Sequence, residues 1–88
     1  MKLIICILQD SDKDTVTKAL NAEGFRVTVL PSSGAYFRRG NSTLLIGLEE
    51  DQVQRAIEIV RENCLDPPEP EFKRATVFVL DVGRFVQF

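Results

Sequence analysis

The sequence predicts one α+β domain with the element order β-α-β-β-α-β. Three observations predict it. Three short segments are apolar along most of their length, and a fourth alternates between apolar and polar residues. Two further segments carry apolar residues at helical spacing. Turn and capping residues separate them all. Eighty-eight residues suffice for one domain and leave no room for a second.

The first strand is Leu3-Ile4-Ile5-Cys6-Ile7-Leu8, apolar at every position. A half-exposed strand would alternate, so both faces of this one are expected to be covered. Gln9-Asp10-Ser11-Asp12 follows, a cluster of helix-capping residues, with Ser11 and Asp14 spaced as a capping pair. Val16, Ala19 and Leu20 then keep helical spacing, and Gly24 supplies a stop, so the first helix is expected over 12–23.

Phe25-Arg26-Val27-Thr28-Val29-Leu30 reads as the second strand, with Phe25, Val27 and Val29 on one face and Arg26 and Thr28 on the other. Pro31 ends it, and a loop over 32–42 leads to the third strand, Thr43-Leu44-Leu45-Ile46-Gly47-Leu48. Glu49-Glu50-Asp51 complements the dipole of a second helix, whose stripe is Val53, Ala56, Ile57, Val60 and Cys64. Asp66-Pro67-Pro68-Glu69-Pro70-Glu71 cannot continue a helix and reads as an extended connector. The fourth strand is expected over 75–82, followed by a short tail from Gly83 to Phe88.

This order is the ferredoxin-like arrangement: a four-stranded antiparallel sheet with two helices on one face. Two helices cover only one face, yet the first, third and fourth strands are apolar on both. The open face would be a larger apolar patch than a monomer tolerates. Burial against copies of the same chain resolves this, and a closed ring suits a sheet-lined interior. The six-residue tail is too short to cover the sheet instead.

Composition excludes several functions. Thirteen acidic against eleven basic residues give a net charge of −2, which argues against a general nucleic-acid binder. Histidine is absent, so there is no Ser-His or Cys-His nucleophile pair. The only soft metal ligands are Cys6 and Cys64, which match no CxxC pattern, so no metal site is expected. Both cysteines lie in apolar patterns and read as buried, reduced thiols of a cytoplasmic protein. The six-residue run Leu3–Leu8 is too short for a signal peptide or a membrane span, so no membrane association is expected.

The unusual stretch is Pro31-Ser32-Ser33-Gly34-Ala35-Tyr36-Phe37-Arg38-Arg39-Gly40-Asn41-Ser42-Thr43, longer than a hairpin connection requires. Glycines let backbone N–H groups approach phosphate oxygens, and hydroxyls add hydrogen bonds. Arginine presents a fork that matches phosphate. An aromatic ring stacks on a base, worth about 1–3 kcal/mol per base. Arg26 and Thr28 lead into the same region. The residues alone leave a second reading open: a solvated hairpin turning at Gly40-Asn41, with Tyr36 and Phe37 packed on a neighbouring subunit.

The chain resembles the cyclic-di-AMP receptor family of PII-like signal transduction proteins. The matching pieces are MKLIICILQDSD, GFRVTVLPSSG, FRRGNSTLLIG, IVRENC and ATVFVLDVGRFVQF, and the most specific is Arg38-x-Gly40-Asn41-Ser42-Thr43 before an apolar strand. The resemblance implies a PII-like homotrimer with cyclic di-AMP, and no other cofactor, in the clefts between subunits. By that analogy Arg26 and Thr28 line the cleft from the second strand. Gly34, Ala35, Tyr36, Phe37 and Arg38 wrap the ligand, with Asn41 and Gly47 nearby, and Gln87 closes the site from a neighbouring subunit.

The chain departs from the family pattern in three places. Its proline-rich connector is short, with Lys73-Arg74 where the family carries a Gly-Gly pair. Gly24 replaces a polar residue that can reach the ligand. Tyr36 and Phe37 make the loop bulky.

Two alternatives stand beside a cyclic di-AMP sensor: a PII-like sensor of ATP, ADP or AMP, and a ligand-free trimeric scaffold. A small enzyme acting on acyl phosphates would pair an arginine with an asparagine, as Arg38 and Asn41 do. It needs an anion-binding loop directly after the first strand, where this chain carries Gln9-Asp10-Ser11-Asp12.

Overall fold

The computed structural model describes residues 1–30, 40–65 and 73–88. In chain order the elements are β1 (Lys2–Gln9), α1 (Asp10–Ala22), β2 (Val27–Leu30), β3 (Asn41–Leu48), α2 (Val53–Asn63) and β4 (Ala75–Asp81), with a 3₁₀ turn at Glu50–Gln52 leading into α2. The sheet order is β2-β3-β1-β4, and every neighbouring pair is antiparallel. The ferredoxin-like topology expected from the sequence is therefore the fold.

The β1 apolar run resolves into two faces. Ile4, Cys6 and Leu8 are buried, and the register sets Ile4 opposite Ile46 and Cys6 opposite Leu44. This face carries the core, closed by Val16 and Leu20 of α1 and by Ala56, Ile59 and Val60 of α2. Full burial of each Leu or Ile side chain contributes about 1.5–3 kcal/mol, so this one layer supplies most of the driving force. Leu3, Ile5 and Ile7 point the other way and are only half-buried. Across the same face β4 presents Phe78 opposite Ile5 and Leu80 opposite Leu3, with 53% and 43% of their surface exposed. Over β1 and β4 the open face is apolar, as the composition of those strands requires.

The ends of α1 separate local from tertiary causes. Its C-terminus closes as the spacing predicts: Gly24 adopts φ +89°, its N–H donates to the Asn21 carbonyl, and the Phe25 N–H reaches back to the Leu20 carbonyl. This is the Schellman closure, in which a left-handed residue after the helix satisfies its last carbonyls, and glycine adopts that conformation without a Cβ clash. The N-terminus differs from expectation. The helix starts at Asp10, Gln9 is its N-cap, and no side chain caps it. Asp10 and Asp12 are engaged elsewhere.

Strand bounds differ by small amounts. β3 begins two residues earlier than expected, at Asn41, because Gln9 extends β1 to pair with it. β2 is shorter, since Phe25 turns into the core immediately after the Schellman closure. Past β4, the Val82 N–H bonds to the Met1 carbonyl at 3.1 Å, after which the tail exposes Phe85, Val86 and Phe88.

Cys6 and Cys64 are buried free thiols. Burial pushes the Cys6 thiol up to about 12, with a smaller contribution from Cys64, and burial pushes the Cys64 thiol up as well, as is usual for structural cysteines in apolar surroundings.

Candidate functional site

The sheet register decides which expected site residues meet. Thr28 of β2 stands opposite Leu45 of β3. Side chains two apart on a strand share a face, so Asn41, Gly47 and Thr28 all belong to the open face with Leu45. Continuing the β2–β3 register by one residue sets Arg26 against Gly47. Arg26 and Thr28 are exposed, Asn41 is half-buried, and Gly47 leaves its stretch of backbone uncovered by any side chain of its own. A Cβ at Gly47 would come within 3.1 Å of the Met1 Cε, so the near wall here is one flexible methionine end.

Arg26, Thr28, Asn41 and Gly47 thus share the open face, on its β2 side. From Thr28 to the end of β2 at Leu30 is two residues, roughly 7 Å. The segment 31–39 connects Leu30 to Gly40; Arg26 and Gly47 stand toward one end of this face and Asn41 at the other, about 20 Å away along β3. Gly34, Ala35, Tyr36, Phe37 and Arg38 lie outside the described residues. Gln87 lies in the tail after β4 and is exposed in the single chain.

The return point of that segment is tied down by residues whose place before α1 predicts helix capping. The Asp10 N–H donates to the Gly40 carbonyl at 2.9 Å, and Ser42 Oγ donates to the Asp10 carboxylate. Gly40 itself has φ +85°, a turn conformation that glycine adopts freely. Asp12, only 2% exposed, accepts the Leu65 N–H at 3.4 Å. Gln9 Nε2 reaches the Leu65 carbonyl at 3.4 Å and the Asp12 carboxylate at 3.5 Å. The turn after β1 therefore anchors the entry to β3 on one side and the exit from α2 on the other. No sequence spacing signals this, because the partners lie 32 and 53 residues away.

The chemistry available is that of binding. Arg26 supplies a planar cation for an anionic oxygen, Thr28 and Asn41 supply hydroxyl and amide groups, and Gly47 allows close approach to the backbone. Among the described residues no group of three or more His, Cys, Asp or Glu side chains could hold a metal ion. No helix among them is long and apolar enough to cross a membrane.

Comparison with known proteins agrees with this picture. The sequence model described as "Cyclic-di-AMP receptor" matches residues 1–69. Among solved structures, one from Pediococcus pentosaceus ATCC 25745, described as a functionally unknown protein, is similar along nearly its whole length. The two are 32% identical, with 99% of this chain and 96% of that chain covered, at a TM-score of 0.77.

Proposed function

This chain belongs to the cyclic-di-AMP receptor family, and we propose that it is a PII-like sensor which binds cyclic di-AMP in clefts between the subunits of a homotrimer. As a member of a receptor family it is not an enzyme. The observation that carries the proposal is the shared face of Arg26, Thr28, Asn41 and Gly47.

In this reading Arg26 pairs with a phosphate of the ligand, and Thr28 and Asn41 bond its polar edges. Gly34, Ala35, Tyr36, Phe37 and Arg38 enclose it, with an aromatic ring against a base and Arg38 on a phosphate. Gln87, exposed in the tail of a single chain, comes to the site from the neighbouring subunit. The apolar open face supports assembly, since Phe78 and Leu80 beside Ile5 and Leu3 form a surface that association would bury. The protein works in the cytoplasm, where its two buried thiols stay reduced.

Titration calorimetry against cyclic di-AMP, ATP, ADP and AMP tests the reading. Saturable binding of cyclic di-AMP at about one per subunit, weakened at least about tenfold by Arg26→Ala, is the expected result. Preference for a mononucleotide would reassign the ligand. Silence with all four would leave a trimeric scaffold.

A further inference from the structure

On the opposite side of the sheet, α2 and β4 diverge around a cavity of about 360 Å³. Its apolar lining includes Ile57 and Val60 from α2 and Val77 from β4, and its cations are Arg61, Lys73 and Arg74. No described lining residue carries a carboxylate. The acids of α2 itself lie elsewhere. Arg55 draws Glu58 and Glu62 to itself, at 3.5 and 3.8 Å, and also pairs with Glu23 of the α1 end. The acids of α2 are thereby gathered about Arg55, away from the β4 side.

Cations at this end of α2 also complement the helix dipole. Arg74 Nη1 donates to the Arg61 carbonyl at 3.5 Å, which sets its guanidinium over the last turn. The dipole does not account for an apolar hollow beside those cations, nor for Lys73, which precedes β4. The Arg61 and Lys73 side chains have no ion-pair partner among the described residues.

We propose that this cavity is a binding site for a small amphipathic anion: a carboxylate or phosphate head held by Arg61 and Lys73, on a short apolar body lying against Ile57, Val60 and Val77. The volume is at the lower end of the range for small-molecule sites, which are mostly apolar with a few placed polar groups. A guanidinium and an ammonium lining one hollow favour a doubly charged or forked head. The site lies on the helix side of the sheet, away from the face that carries Arg26 and Thr28. Its occupancy therefore does not depend on which nucleotide that face takes.

The test uses the full-length ¹⁵N-labelled protein with hexyl phosphate, hexanoate and 1-hexanol as probes. The expected result is saturable amide shift changes centred on residues 57, 60, 61 and 77 with one or both anions and not with the alcohol. The double variant Arg61→Gln, Lys73→Gln should weaken binding at least about tenfold, and Arg61→Lys with Lys73→Arg should retain it. Both positions are exposed, so the spectra report directly whether the fold persists. Equal response to hexanol would reduce the cavity to an apolar patch. No response at millimolar probe, or a response that survives the Gln pair, would overturn the proposal. No nucleotide enters the assay, so its failure is separate from any failure of cyclic di-AMP to bind.

Discussion

Ser42, at the start of β3, donates its hydroxyl hydrogen bond to Asp10, the first residue of α1, thirty-two positions earlier in the chain. The same aspartate holds the Gly40 carbonyl through its backbone N–H. One residue thus sets the position at which the chain re-enters the sheet, immediately before Asn41. The carboxylate would otherwise be free to cap its own helix, and tertiary contact overrides that local preference.

Replacing Asp10 by Ala should leave the buried Ser42 hydroxyl without its partner. The expected loss is about 1–3 kcal/mol, the usual cost of an unsatisfied buried polar group. Ser42→Ala alone should cost less, and the double variant should recover part of the loss. Urea unfolding of the four proteins at one fixed concentration checks this through the coupling energy. Additive effects would mean that the pair does not act as a unit.

The pairing of Phe78 with Ile5 across the open face gives a prediction about assembly. Phe78→Glu puts a charge into a surface that a trimer would bury, where it has no partner. Sedimentation should show the variant as a monomer with an unchanged far-ultraviolet spectrum, since the core lies on the opposite face. A variant that stays trimeric would place the subunit contact elsewhere.

Two surface ion pairs predict how stability follows pH. The Arg55 guanidinium, bonded to Glu23, holds that carboxyl below its ordinary range, and Lys2 does the same for Asp81. A carboxyl with a depressed folded-state pKa stabilises the protein above its unfolded value, roughly 4.3 for Glu and 3.9 for Asp, and that stability is lost as pH falls through the folded values. The Lys2 ammonium, bonded to Asp81 and then Glu50, is raised, so its contribution holds below its unfolded value and is lost only at strongly alkaline pH. The melting temperature should therefore fall from about pH 5 downward. Arg55→Met should flatten that fall. Because these groups are exposed, about 1 M salt should flatten it too. Thermal melts from pH 3 to 7, at low and high salt, read this directly.

The sequence by itself determined the elements, their order and the unequal demands of the two sheet faces. Hydrophobic period and turn residues act over a few positions, so Leu3–Leu8, the α2 stripe at Val53, Ala56 and Val60 and the stop at Gly24 are legible without a structure. That Ile59 and not Ile57 is fully buried, and that Cys64 lies just past the helix, is not. The family was legible too, in strings such as Arg38-x-Gly40-Asn41-Ser42-Thr43. Only the tertiary structure decided the register that sets Arg26, Thr28, Asn41 and Gly47 on one face, because sheet pairing joins residues far apart in the chain. It also decided that Asp10 and Asp12 serve β3 and the end of α2 and do not cap α1, and that Arg61 and Lys73 both line an apolar hollow. Short polar side chains have several partners of similar energy, and the one chosen depends on what packing brings within about 3 Å.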